Sequence, residues 1–80
     1  MKTNDIKKGM RIVLRNGWEA TIEDNRKGNI RMATVEGMYT ETGSIYAHDI
    51  AGVLIDNQWV RPIYTPEQAK LRSRVDEMFA

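Results

Sequence analysis

Met10, Ile12 and Leu14 alternate with Arg11, Val13 and Arg15, and after Asn16-Gly17 the alternation resumes with Trp18, Ala20 and Ile22 against Glu19, Thr21 and Glu23. A period of two is the mark of a strand with one buried face, and two such runs around a turn predict a β-hairpin. A two-residue loop at Asn16-Gly17 would set Leu14 opposite Glu19 and mix charge into the buried face. A three-residue loop, Arg15-Asn16-Gly17, sets Leu14 opposite Trp18, Ile12 opposite Ala20 and Met10 opposite Ile22. Every apolar residue then meets another, and a slip of one residue would undo this on both strands. The three-residue loop is therefore expected, with Gly17 in the left-handed conformation such loops require. On the outer face it is expected to set Arg11 opposite Glu23.

The same punctuation continues along the chain. "NRKGN" at 25–29, "GMYTETG" at 37–43 and "DN" at 56–57 separate short runs rich in β-branched and aromatic residues. The third run, "IRMATVE", alternates imperfectly: Ile30 and Met32 point one way, Ala33 and Val35 the other. A bulge or burial on both faces would account for that. "GSIYA" reads as a short fourth strand and "IAGVLID" as a fifth. "QWVRPI" reads as an edge strand, since Pro62 cannot donate to a ladder. The last stretch, "TPEQAKLRSRVDEMFA", changes period. Thr65 is a good cap, Pro66 fits the first helical position and Gln68 completes a capping box. Leu71, Val75, Met78 and Phe79 then form an apolar stripe at helical spacing. Such a short helix is marginal alone and needs a surface to bury its stripe.

These elements predict a mostly β fold: a small antiparallel barrel of five or six strands over residues 1–64, and a C-terminal α-helix over 65–80 packed on the barrel or on a second copy. "DIKKGMRIVLRNGWEATIEDN", with its glycine just before the first strand, resembles the opening of SH3-like small barrels, including KOW-type modules. "YAHDI" resembles the short helical turn that such barrels place before their last strand. As a whole, with "NGWEA", "GNIR" and "YAHDI" in sequence before a helical tail, the chain is similar to small proteins encoded by tailed bacteriophages and prophages. The first resemblance implies an SH3-like barrel, and the second implies a setting, an accessory protein in the host cytoplasm, without naming an activity.

Composition narrows the chemistry. The chain has 80 residues, 41% of them apolar, enough for one small core. It has no cysteine, hence neither a disulfide nor a thiolate nucleophile. No apolar run approaches the roughly 20 residues needed to cross a bilayer, and "MKTNDIKKG" lacks the apolar segment of a signal peptide. The net charge of +1 hides an asymmetry. Residues 1–35 carry eight Lys/Arg against four Asp/Glu, a net of +4, and residues 36–80 carry four against seven, a net of −3.

Catalytic devices are missing. The single histidine, His48, precedes Asp49, and neighbours in an extended chain point apart, so the pair is expected to be a turn: Asp49 accepting from a nearby backbone donor and His48 at the surface. One histidine without cysteine cannot make a zinc site. Ser44 and Ser73 lie in no nucleophile elbow, and the six glycines have no phosphate-loop spacing. No catalytic residue, metal site or cofactor is expected, and the chain is read as non-enzymatic. Two binding surfaces remain. Lys7, Lys8, Arg15, Arg26, Lys27 and Arg31 are candidate nucleic-acid contacts in the basic hairpins. Met38 and Tyr39, at a loop tip that either folds back over the barrel end or meets a partner, together with Trp59 and Tyr64, are candidate protein contacts. A protein partner fits the latter set and nucleic acid the former, while a second copy, if there is one, is expected to meet the helix stripe.

Overall fold

The structure is a computed structural model that describes residues 1–79. Six antiparallel strands form one sheet: β1 (Arg11–Leu14), β2 (Glu19–Ile22), β3 (Ile30–Glu36), β4 (Thr40–Tyr46), β5 (Ile50–Ile55) and β6 (Gln58–Val60), followed by α1 (Pro66–Phe79). The order across the sheet is β4-β3-β2-β1-β5-β6, so the first four strands meander and β5 returns to pair with β1. The 3-10 turn Ala47–Asp49 makes that return, where "YAHDI" was expected to place a helical turn. A mostly β, barrel-like sheet with a C-terminal helix is the fold class expected. Ile6, Ile12, Ala20, Ile22, Ala33, Ile50 and Val53 are its buried core.

The first hairpin has the register that keeps apolar residues together. Ile12 faces Ala20, the Leu14 N–H donates to the Trp18 carbonyl at 2.8 Å, and the Ile22 N–H to the Met10 carbonyl at 3.0 Å. Gly17 has φ of +91°, the left-handed region where a side chain would be strained. The two-residue turn Asp56-Asn57 also carries positive φ at both residues, as a type I′ turn demands.

Several expectations are corrected. Arg11 lies opposite Thr21, because the register that pairs Ile12 with Ala20 also fixes its neighbours. Its guanidinium reaches across β2 to Glu36 (2.5 Å) and also contacts Glu19 (3.4 Å), whereas Glu23 accepts from the Thr34 hydroxyl. Trp18 lies at Leu14 as expected, yet its indole is 44% exposed: it covers Gly37 at the barrel mouth and is no core residue. β3 pairs without a bulge on either side. Arg31, Ala33 and Val35 face inward and Ile30 outward, so the imperfect alternation hid a buried arginine. The loop read at 37–43 is only Gly37-Met38-Tyr39, because the threonine-rich "TETG" extends β4 and Gly43 sits inside that strand.

The helix has the expected capping box. The Thr65 Oγ1 accepts from the Gln68 N–H (3.2 Å), and the Gln68 Oε1 accepts from the Thr65 N–H (3.1 Å). It docks with only Val75 of its apolar stripe turned inward among the described side chains. The inward face is Gln68, Arg72 and Val75, at i, i+4 and i+7, while Leu71 and Met78 face solvent. The Phe79 side chain lies outside the described residues. Beside Val75 the helix is held by polar contacts, so Leu71 and Met78 are left exposed. Gln68 is buried and its Oε1 also accepts from the Thr3 hydroxyl (2.6 Å), while its Nε2 donates to the Gly28 carbonyl (3.0 Å). Further along, Arg72 donates to the Tyr64 hydroxyl and lies 5.2 Å from the centre of that ring. Asp76 pairs with Arg15 of the first hairpin.

Candidate functional site

The candidate basic residues divide three ways. Lys7, Lys8, Arg26 and Lys27 are exposed and gather at one end of the sheet, because the Lys8 N–H donates to the Asn25 side chain (2.9 Å) and ties the turn before β1 to the β2–β3 loop. Asp24 lies 3.5 Å from Arg26 and offsets part of that charge. Arg15 stands at the other end, where it bridges Asp49 (3.5 Å) and Asp76 beside a groove of about 440 Å³ lined by Leu14, Asn16 and Val75. Its charge is already matched by two carboxylates, so it adds nothing to the basic end.

Arg31 is fully buried, out of reach of any phosphate. Its Nε and Nη2 donate to the Gly28 carbonyl (3.0 and 2.7 Å), its Nη1 to the Thr3 carbonyl (3.2 Å) and its Nη2 to the Asn4 side chain (3.1 Å). Among the described residues no carboxylate pairs with it directly. Burial pulls the guanidinium below its ordinary pKa, and the charge of Asp24 partly offsets that. Arginine remains protonated regardless. With Thr3 and Gln68 it forms a buried polar cluster that joins the N-terminal segment, the β2–β3 loop and the helix. No buried side-chain polar atom among the described residues is left without a partner. The only sequence signal for Arg31 was its place in the inward phase of β3.

His48 is buried as well, at 6% exposure, which overturns its expected surface position. Its Nδ1 lies 3.0 Å from the Asn29 side-chain oxygen, its ring stacks on Tyr46 with centroids 5.2 Å apart, and its carbonyl accepts from Arg72 (3.4 Å). The 3-10 turn brings its Nε2 to 3.8 Å from Asp49, closer than extended backbone would. The Asp49 carboxylate is engaged by Arg15 instead of by a backbone donor. These contacts give the histidine a place in the packing of the barrel closure. Among the described residues no three His, Asp or Glu side chains gather as a metal-binding group.

The apolar candidates separate as clearly. Tyr64 is half-buried, and its hydroxyl donates to the Ile50 carbonyl while accepting from Arg72, so it anchors the chain entering the helix. Trp59 is partly exposed on the outer face of β6, with its ring beside Gly52. Met38 and Tyr39 are different: they are 83% and 75% exposed at the β3–β4 tip. The half-exposed Trp18 adjoins them. Its ring atoms lie 2.5–2.7 Å from where a Cβ on Gly37 would stand, so only glycine lets the indole settle there. Trp18 thus lies against the glycine that leads into the Met38-Tyr39 tip, so three exposed apolar residues belong to this end of the hairpins, two of them found by sequence reading. The third was hidden because its strand partner Leu14 marked it as core.

Glu36, at the base of this tip, accepts two hydrogen bonds from Arg11 (3.0 and 2.5 Å), and they hold its carboxyl below the usual carboxylate range. Among the described residues no helix is long and apolar enough to cross a membrane. Comparison of the chain with protein-family models, curated proteins and solved structures gives no match.

Proposed function

We propose that the chain is a non-enzymatic binding module, an SH3-like small barrel that engages a protein through Trp18, Met38 and Tyr39. One observation carries this. The β3–β4 tip does not fold back over the barrel end: Met38 and Tyr39 stand out in solvent beside a half-exposed indole. Large apolar side chains grouped on a small domain lose about 1.5–3 kcal/mol each by staying wet, and such a group is a usual contact surface. Tyr and Trp are also the residue types that dominate binding energy at interfaces. The resemblance to small tailed-phage proteins supplies the setting, an accessory protein acting on a host or phage protein in the host cytoplasm.

The test is site-specific photo-crosslinking in cells that express the chain, with the reactive group placed at Tyr39 or, as control, at Lys70 on the exposed side of the helix. A discrete protein adduct from position 39, absent from position 70 and lost in the Met38→Ser variant, is the expected result. Identical patterns from both positions would overturn the proposal.

A second reading, nucleic-acid binding, is favoured by one specific observation, the gathering of Lys7, Lys8, Arg26 and Lys27 at one end. A phosphate-driven interface of four cations would lose affinity with a log–log salt slope of roughly −3. Titration with single- and double-stranded DNA and RNA over a salt series decides it.

A further inference from the structure

The sheet has two outer strands, the seven-residue β4 and the three-residue β6, and only past β6 does the chain pair onward. Beyond β6 the chain passes Pro62, which has no N–H, and Ile63 then pairs with the N-terminal segment: its N–H donates to the Met1 carbonyl (2.8 Å) and its carbonyl accepts from Thr3 (3.0 Å). β4 has no such onward pairing. Its seven residues bond to β3 in an uninterrupted register, and among the described residues no other element pairs with it. Of the usual protective devices it carries only a single charge, Glu41. "TETGSIY" contains no proline and no lysine, and it carries no bulge. At its centre stands Gly43. A glycine inside a strand marks a bulge, a barrel corner or a close backbone approach, and the continuous register excludes the first.

We propose that β4 pairs with β4 of a second copy, antiparallel about a two-fold axis at Gly43. The side chains fit that register. With Gly43 facing itself, Thr42 lies opposite Ser44, Thr40 opposite Tyr46 and Glu41 opposite Ile45 of the second copy. Thr–Ser and Thr–Tyr are favourable cross-strand pairs, since hydroxyls can bond and an aromatic ring packs on a β-branched neighbour. The one charge of the strand, Glu41, meets an aliphatic side chain and never its own copy. A two-fold interface must be complementary to itself, and this strand meets that condition in both charge and shape. The pairing goes beyond the proposed protein contact and does not depend on it. It leaves each Met38-Tyr39 tip free, at opposite ends of the joined strands and about 30 Å apart. The dimer is then a bivalent module, able to hold two partners or to bind one repetitive partner by avidity.

Gly43 also supplies the test. No heavy atom lies within 4 Å of a Cβ built there and its φ is not in the left-handed region, so the monomer accepts a side chain at that position. Sedimentation velocity over about 10 μM to about 1 mM should show the wild-type mass rising from one chain to two. Gly43→Lys and Gly43→Glu each place like charges face to face and should weaken the dimer by roughly tenfold, with melting unchanged at low concentration. An equimolar mixture of the two variants should recover the dimer, which a merely structural effect of either substitution would not do. Met38→Ser/Tyr39→Ser should dimerise like wild type, so that loss of the tip's partner and loss of the dimer are read separately. A wild-type chain that stays single over the whole range overturns the proposal and leaves the edge to an extended segment of another protein. A Gly43→Lys chain that dimerises like wild type also overturns it, by placing the interface on another face.

Discussion

The two margins of the sheet are built on opposite terms. At the β6 margin the chain folds back on itself: Ile63 takes up the N-terminal segment, and Thr3, Arg31 and Gln68 knit that segment to the β2–β3 loop and the helix. Among the described residues every buried side-chain polar atom there has a partner inside the molecule. At the β4 margin the strand ends in solvent, and the adjoining tip presents Met38, Tyr39 and Trp18 without cover. The difference shows where this small domain derives its stability and where it keeps surface for others. With a core largely of isoleucine, valine and alanine, it adds buried hydrogen bonds on the closed side, and the open side is left out of the folding energetics.

The closed margin should break first. Arg31→Met keeps the bulk but removes four hydrogen bonds, leaving the Gly28 carbonyl with Gln68 and the Thr3 carbonyl with the Ile6 N–H as remaining donors. It should cost about 3 kcal/mol in a thermal or urea melt, and Arg31→Lys should not rescue it, since an ammonium lacks the fork that reaches three acceptors. A melt within about 0.5 kcal/mol of wild type would show the cluster to be dispensable. Gln68→Ala should cost about 2 kcal/mol, because it removes the side-chain half of the capping box and strands the buried Thr3 hydroxyl at once. Amide hydrogen exchange should then show helix and N-terminal segment loosening together.

At the open margin the effects should be smaller and of another kind. Gly37→Ala puts a methyl group into the Trp18 ring, so the indole must move. About 1 kcal/mol should be lost, with a red shift in tryptophan fluorescence, and binding through the tip should weaken more than stability does. Met38→Ser/Tyr39→Ser should leave the melt within about 0.5 kcal/mol of wild type, because side chains so exposed contribute little to folding. A large stability loss there would erase the contrast between the margins.

The smallest effect concerns acid. Glu36 is held below its ordinary carboxylate pKa by the hydrogen bonds from Arg11, so its folded pKa lies below its unfolded one. Its contribution is therefore present above the unfolded value of about 4.5 and is lost as pH falls through the folded one. Between about pH 5 and about pH 3 the fall in melting temperature should be slightly shallower in Glu36→Gln than in wild type. An identical pH slope would show that the Arg11 contact adds nothing to stability.

Much of this architecture is legible in the chain because its causes are local. The Arg15-Asn16-Gly17 loop, the Asp56-Asn57 turn, the Thr65–Gln68 capping box and the change of period from two to 3.6 each depend on residues a few positions apart. The candidate surface was partly legible: Met38 and Tyr39 stood out as an apolar tip in a polar stretch. Trp18 did not, because alternation assigns it the inward side and says nothing about where the barrel ends. The extent of β4 was missed because Gly43 carries the same letter whether it turns a chain or lies in an extended edge.

The sequence by itself determined which segments would be strands, how the first hairpin would register, and where the helix would start, since alternation and turn chemistry act within a few residues. Tertiary structure alone decided which charged residue would be buried, which helix face would dock and which sheet edge would stay open. Arg31 looks like any surface arginine until Thr3, Asn4 and Gly28 converge on it, and Gln68 like any capping residue until Thr3 and Gly28 reach it. Burying a polar side chain is favourable only when partners arrive from elsewhere in the chain. That arrival depends on how the barrel closes, and no short stretch of residues encodes it.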